Sequence, residues 1–197
     1  MNLINKKNLI KHFNNIIGKQ STRPILNTIN FDETTKRISA TDSYRLLSIY
    51  DESIEKSFNI NPNTLEINVR DYPDINRLLL EQKGTYFQKS NLTKEHLAFL
   101  KSLKENEIIN VFTKDCWKIY YNELQIFEIP LYENTNNETI EIYMNAKYLT
   151  QAIDFIMNAT IQNEINITYT NSLRPMGFIT NDYQYLITPI RKNIYKI

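Results

Sequence analysis

Few residues of this 197-residue chain could do covalent or acid–base chemistry. His12 and His96 are its only histidines, and Cys116 is its only cysteine. A general base or an activated nucleophile needs an orienting partner within hydrogen-bond reach. Neither histidine lies near a serine or cysteine nucleophile signature, so both read as surface residues of helices. Cys116, beside Trp117, reads as a strand residue. It cannot form an intrachain disulfide, and one cysteine with two histidines does not complete a Cys/His zinc site. Glu123, Glu128, Glu133, Glu138 and Glu141 recur at the spacing of exposed strand and loop positions. With only Gly18, Gly84 and Gly177 there is no glycine-rich phosphate loop. The residues therefore point away from an enzyme, and imply no cofactor and no metal.

Composition narrows the remaining classes. The 42% of hydrophobic residues suffices for a buried core. No run approaches the ~20 apolar residues of a membrane span, and Met1–Lys7 lacks the apolar core of a signal peptide. A soluble, cytoplasmic protein with no membrane partner is expected. Lys and Arg number 23 against 22 Asp and Glu, a net charge of +1. Any contact with nucleic acid must then come from local segregation of charge. Abundant Ile, Asn, Lys and Tyr, all encoded by A/T-rich codons, suggest an A/T-rich bacterium or one of its mobile elements.

Apolar spacing predicts three short helices. The first, about Lys6 to Ile17, sets Leu9, Ile10, Phe13, Ile16 and Ile17 on one face and ends at Gly18. The second, about Lys94 to Lys104, has Thr93 as N-cap and turns Leu97, Leu100 and Leu103 inward. The third follows Asn145 as N-cap and buries Leu149, Ala152, Ile153 and Ile156. Strand-like runs follow each helix in threes: Ile25–Phe31, Lys36–Ala40 and Tyr44–Tyr50; Ile108–Thr113, Trp117–Tyr121 and Gln125–Ile129; Ile165–Thr170, Gly177–Ile179 and Tyr183–Pro189. A strand at Thr139–Met144 precedes the third helix, and a short one at Asn2–Ile4 precedes the first. Hairpin-connected strands behind short helices predict an α+β fold of repeated βαβββ units with antiparallel sheets. Residues 1–80 read as a partial domain whose segment 51–80 is a linker with a strand near Leu65–Val69. Residues 81–197 read as a complete domain.

Specific strings then carry a resemblance. Thr22-Arg23-Pro24-Ile25-Leu26-Asn27 is followed by Ser39-Ala40-Thr41-Asp42-Ser43-Tyr44-Arg45-Leu46, then by Asp71-Tyr72-Pro73-Asp74-Ile75-Asn76-Arg77-Leu78. The C-terminal stretch adds Asn145-Ala146-Lys147-Tyr148-Leu149, Leu173-Arg174-Pro175-Met176 and Tyr185-Leu186-Ile187-Thr188-Pro189-Ile190-Arg191. In this order they resemble the bacterial DNA polymerase III beta subunit, the sliding clamp. A subunit of that family has three domains of two such units each. The resemblance implies half of the middle domain and one last domain, without the first, so that ring closure would need a different oligomer.

The same resemblance implies the sites. A groove for short hydrophobic peptides of clamp-binding proteins would use Leu26, Thr41, Ser43, Tyr44, Arg45, Leu46, Leu186, Thr188 and Pro189. Leu26, Leu46 and Leu186 would wall it, Arg45 would orient the peptide, and the bulk of Tyr44 would reshape it. On residue types alone the three leucines are ordinary strand core and Arg45 is a surface residue. Lys6, Lys7, Lys11, Lys94, Lys101, Lys104 and Lys147 would face DNA phosphates from the helices; on types alone they are the solvated faces of amphipathic helices. The expected partners are polymerase, clamp loader and repair proteins carrying clamp-binding motifs, duplex DNA without sequence specificity, and further copies of the chain in a homo-oligomer. The rival expectation is a clamp-mimic interaction protein of a phage or mobile element, which does not encircle DNA and acts as a decoy or inhibitor of host replication or defence proteins.

Overall fold

The computed structural model describes residues 6–17, 22–81, 86–103, 107–132, 138–159 and 164–191. Helix α1 (Lys6–Ile16) buries Leu9, His12, Phe13 and Ile16, the i, i+3, i+4, i+7 stripe of an amphipathic helix. Two expectations are corrected by that stripe: Ile10 is exposed, and His12 is buried because it occupies the i+3 position. The expected ends at Asn2–Ile4 and Gly18 lie outside the described residues. Pro24–Asn27 is a one-turn 3-10 helix opened by Pro24, not the start of a strand.

Strands β1 (Ile29–Asp32), β2 (Arg37–Thr41) and β3 (Arg45–Tyr50) follow. Residues 51–80, expected as a linker with a strand near Leu65–Val69, hold that strand as β5 (Ile67–Asn68) and in addition supply β4 (Phe58–Ile60) and, running to residue 81, α2 (Asn76–Glu81). Next come β6 (Tyr86–Asn91), α3 (Lys94–Ser102), β7 (Glu107–Phe112), β8 (Cys116–Tyr121) and β9 (Leu124–Tyr132). The chain continues through β10 (Ile140–Asn145), α4 (Ala146–Ala159), β11 (Glu164–Tyr169), β12 (Met176–Ile179) and β13 (Tyr183–Ile187). Strand, helix and three strands recur as β6-α3-β7-β8-β9 and β10-α4-β11-β12-β13. The fold is α+β, with antiparallel pairing and short helices.

The chain divides into two compact units: residues 1–83 with Ile179–Leu186, and residues 84–178 with Ile187–Ile197. In the first unit the strand order is β13-β3-β2-β1-β4-β5, and α1 packs on β2 and β3. Asp32 holds the β1–β2 turn by accepting from the Thr34 N–H at 2.9 Å and the Thr35 hydroxyl at 2.8 Å. The Tyr50 N–H donates to the Asp182 carbonyl at 2.7 Å, tying β3 to the start of β13. β4 joins β1 through a stacked Phe31–Phe58 pair, centroids 4.5 Å apart.

In the second unit the order is β10-β7-β8-β9-β6-β11-β12. The two residues between β8 and β9, Asn122 and Glu123, both take positive φ, 50° and 64°, as a tight hairpin turn requires. The core is a column of aromatic rings: Phe112 stacks on Trp117 and on Tyr169, and Trp117 meets Phe178. The buried Trp117 indole N–H donates to Asn110 Oδ1 at 3.0 Å, so the ring's one polar atom is satisfied. α4 begins where Asn145 Oδ1 accepts the Tyr148 N–H at 3.2 Å. It buries Leu149, Ala152, Ile153, Phe155 and Ile156 completely.

Candidate functional site

The turn between β2 and β3 is held by its own side chains. Asp42 Oδ1 accepts from the N–H groups of Tyr44 at 3.0 Å and Arg45 at 2.7 Å. Thr41 Oγ1 donates to the Arg45 carbonyl at 2.6 Å, and Ser43 takes a left-handed φ of 76°. Arg45 folds back on Asp42, with Nε and Nη2 donating to Oδ2 at 2.9 and 2.7 Å. Nη2 also donates to the Asn15 carbonyl at 2.8 Å. That carbonyl lies in the last turn of α1, where helical partners run out and a cation suits the negative helix end. Arg45 is therefore a buried brace between the turn and α1, not the surface residue that its type suggested. Breaking a buried pair of this kind costs about 3–5 kcal/mol, because one charge is left uncompensated.

The residue after this brace is apolar and enters the interior. Leu46 is 3% exposed, as is Leu186 on β13. The two meet in one apolar cluster with Ile75 and Leu79, and Tyr72 packs against it. Ile75 and Leu79 lie one helical turn apart, the Leu79 N–H donating to the Ile75 carbonyl at 3.2 Å, so both fall on one face at the start of α2. The Tyr72 hydroxyl accepts the Thr41 N–H at 3.0 Å and so fastens the segment to the end of β2. Burial pushes the Tyr72 phenol above its ordinary range; the nearby Asp42 charge adds to this and the Thr41 hydrogen bond opposes it. All five residues belong to the first unit. Within that unit an open cavity of about 340 Å³ is walled by Phe58, Asn59, Val69, Tyr72, Pro73 and Ile75.

Of the nine groove residues expected, Leu46 and Leu186 are brought together, and Thr41 is linked to them through Tyr72. Leu26 is buried outside this cluster, whereas Ser43 and Tyr44 are exposed. Thr188 and Pro189 are half-buried and belong to the second unit. Tyr72, Ile75 and Leu79 were not given a role from the sequence. Their spacing was the available signal, since Ile75 and Leu79 repeat at i, i+4 directly after the Tyr72-Pro73 pair.

The expected DNA-facing lysines separate in the same way. Lys11 on α1, Lys94 and Lys101 on α3 and Lys147 on α4 are exposed. Lys101 Nζ lies 2.8 Å from Asp154 Oδ1 on α4, an ion pair between neighbouring helices. Only the backbone is described for Lys6 and Lys7, and Lys104 lies outside the described residues. His96 is half-buried at the start of α3. Its Nδ1 accepts the Thr93 N–H at 3.1 Å while Thr93 Oγ1 accepts the His96 N–H at 3.4 Å, a reciprocal cap. Its ring meets Phe127 edge-on at 4.7 Å. Burial lowers its pKa, opposed by Glu95. Cys116 is half-buried on β8, its Sγ 3.1 Å from Thr113 Oγ1. Among the described residues no group of three or more His, Cys, Asp and Glu could hold a metal, and no helix is long and apolar enough to cross a membrane.

No protein-family model matches the chain, and no curated protein matches it by sequence. Solved structures do. A DNA polymerase sliding clamp from Pseudomonas aeruginosa with ligand matches at a TM-score of 0.74 and 16% identity, over 93% of this chain and 63% of that one. A sliding clamp, the DNA polymerase III subunit beta, from Bartonella birtlesii bound to griselimycin matches at 0.73 and 15%, over 94% and 65%. The clamp from Bacillus subtilis matches at 0.68 and 20%, over 94% and 62%. The chain thus spans a little under two thirds of the clamp chains it matches. With its antiparallel sheets, short helices and repeated strand order, the chain has the fold of the bacterial DNA polymerase III beta sliding clamps.

Proposed function

We propose that the chain is a clamp-like DNA-replication accessory protein that docks short hydrophobic peptides of clamp-binding proteins at the Leu46–Leu186 patch. One observation carries this reading. Leu46 and Leu186 come from two distant strings that resemble clamp sequences, and they share one apolar cluster. In this reading residues 1–80 correspond to part of a clamp middle domain and 81–197 to a last domain. The partners are polymerase, clamp loader and repair proteins. A docking leucine or aromatic side chain takes the place of Ile75 or Leu79 on the same two walls. Its affinity is then a difference between two sets of apolar contacts, which puts Kd on the order of 10 µM. Further copies of the chain join it as a homo-oligomer around duplex DNA, with Lys11, Lys94 and Lys147 facing phosphates without base readout.

The test is a titration with a fluorescent peptide carrying a clamp-binding motif. Leu46 and Leu186 are too deeply buried to be made charged without unfolding the unit. Tyr44 lies two residues before Leu46 and Leu78 directly before Leu79, and both are exposed. Tyr44→Asp with Leu78→Asp is expected to weaken binding about tenfold at an unchanged melting temperature. A wild-type chain with no saturable binding contradicts the docking reading.

The Lys101–Asp154 pair favours a second reading, because it neutralises one of the cations that would meet a phosphate. In that reading the chain is a clamp-mimic interaction protein that does not encircle DNA. Greater retention on nicked circular than on linear DNA supports the ring; equal retention or none supports the mimic.

A further inference from the structure

We infer that Gln184 on β13 sets the peptide's specificity: its unpaired side-chain oxygen accepts a hydrogen bond from a neutral amide side chain two residues from the peptide's apolar anchor. This role rests on the docking reading above and adds the chemistry of a second peptide residue. β13 is the neighbour of β3 in the sheet. The Tyr50 N–H donates to the Asp182 carbonyl at 2.7 Å, and Leu46, earlier on β3, meets Leu186, later on β13. The two strands therefore run antiparallel, with Gln184 level with Ser48. Side chains two positions apart on a strand share a face, so Gln184 stands on the same face as Leu186. It lies one step from the apolar cluster, on the way to the exposed Tyr50 and Asp182.

Gln184 ends a polar row that crosses the first unit's sheet. Ser48, Ser39, Asn30, Asn59 and Asn68 sit at laterally paired positions on β3, β2, β1, β4 and β5. Their side chains satisfy one another. Ser48 Oγ accepts from the Ser39 hydroxyl at 3.0 Å and from Arg37 Nη1 at 3.3 Å. Asn30 donates to Asn59 at 3.0 Å, and Asn59 donates to Asn68 at 3.2 Å. Gln184 breaks the pattern. It is 8% exposed, yet its Oε1 has no hydrogen-bond partner among the described residues. A buried amide oxygen without a donor is costly and uncommon in a folded chain. Here it lies beside the leucine pair on which the peptide anchor docks.

The spacing identifies which peptide residue supplies the donor. An extended peptide rises about 3.3 Å per residue, as a strand does. One that lies along β13 with its anchor on Leu46 and Leu186 brings the residue two positions away onto Gln184, while the residue between points away from the sheet. The surroundings select the chemistry. A carboxylate has no donor to offer, and an ammonium meets the like charge of Arg37, which already reaches Ser48. The side-chain amide of asparagine or glutamine donates to Oε1 without adding charge. A leucine in its place shuts the oxygen off from water and gives it no partner.

The test titrates the full chain with fluorescent peptides that share one clamp-binding motif and differ at one position, which is asparagine or the similarly shaped leucine. The exchange is made two residues before the anchor, two residues after it, and directly beside it. The wild type is expected to bind the asparagine peptide about tenfold more tightly at one of the two outer positions, and to show no preference beside the anchor. Gln184→Met keeps the length of the side chain and removes the oxygen. It is expected to bind the leucine peptide at least as tightly as the asparagine peptide. Its melting temperature is expected to match or exceed that of the wild type, because a buried acceptor without a donor is removed. Equal binding of both peptides by the wild type overturns the inference and leaves the docking reading intact. So does a preference that survives in Gln184→Met, or a melting temperature well below the wild type, the sign of an oxygen that already has a partner. No saturable binding of any peptide overturns both.

Discussion

α4 and the β5 edge both carry apolar side chains at the period of their own element, yet they end in opposite surroundings. The helix places Leu149, Ile153 and Ile156 at about 3.6-residue spacing and leaves none of them in water, whereas the edge places Ile67 and Val69 two residues apart and leaves both there. The opposing surface makes the difference. The second unit sets a column of aromatic rings and a full sheet in its interior, but among the described residues β5 has a strand neighbour on one side only. Periodicity thus tells which residues share a face, and topology decides whether the chain itself covers that face.

The largest effect that could break this comparison lies in α4. Phe155→Ala is expected to cost about 3–5 kcal/mol in urea denaturation, the transfer and cavity terms of a fully buried aromatic ring. A cost below about 1 kcal/mol would mean that α4 is not core. An intermediate effect belongs to the border of the first unit. Asn59→Ala removes the buried side chain that joins Asn30, Asn68 and Arg70, and is expected to cost about 1 kcal/mol through the loss of its hydrogen bonds to these half-buried and exposed partners. Amide exchange should accelerate along β4 and β5 while α4 remains protected.

The smallest effect sharpens the contrast within the second unit, where α3 buries only Leu100 fully and opens on a reciprocal cap, whereas α4 is buried along one whole face. Burial lowers the His96 pKa below the usual histidine value of 6.5, so the folded chain takes up that proton less readily than the unfolded chain. The stability that follows is present above the ordinary histidine range and is lost as pH falls through the depressed pKa. Protonation also occupies Nδ1, the atom that accepts the Thr93 N–H. Exchange of the first-turn amides of α3 is expected to be faster at about pH 5 than at about pH 7.5. In His96→Gln the glutamine can still close the cap, and that pH dependence should disappear.

These contrasts also explain what could be read from the sequence. Strands with strong β-branched and aromatic content were legible, as were the Thr93 and Asn145 caps and the inward face of α4. In the segment 51–81 only the strand near Leu65–Val69 was legible; β4 was not, because it is three residues long and is held by the Asn59 side chain rather than by alternating hydrophobicity. His12 looked solvent-facing because polarity was weighed and its i+3 position from Leu9 was not. Arg45 was singled out by motif, but the motif alone does not distinguish a charge directed at a partner from one buried against Asp42 and the end of α1. For the patch, Leu46 and Leu186 were legible through resemblance. Ile75 and Leu79 required the fold, since only the chain path shows which apolar face meets those two leucines.

The central claim is most directly tested by methyl NMR of isoleucine and leucine side chains during titration with a clamp-binding peptide. The account predicts saturable shifts at Leu46, Ile75, Leu79 and Leu186 first, with Ile153 and Ile156 of α4 unmoved. Shifts centred on other methyl groups, or none up to millimolar peptide, would contradict it.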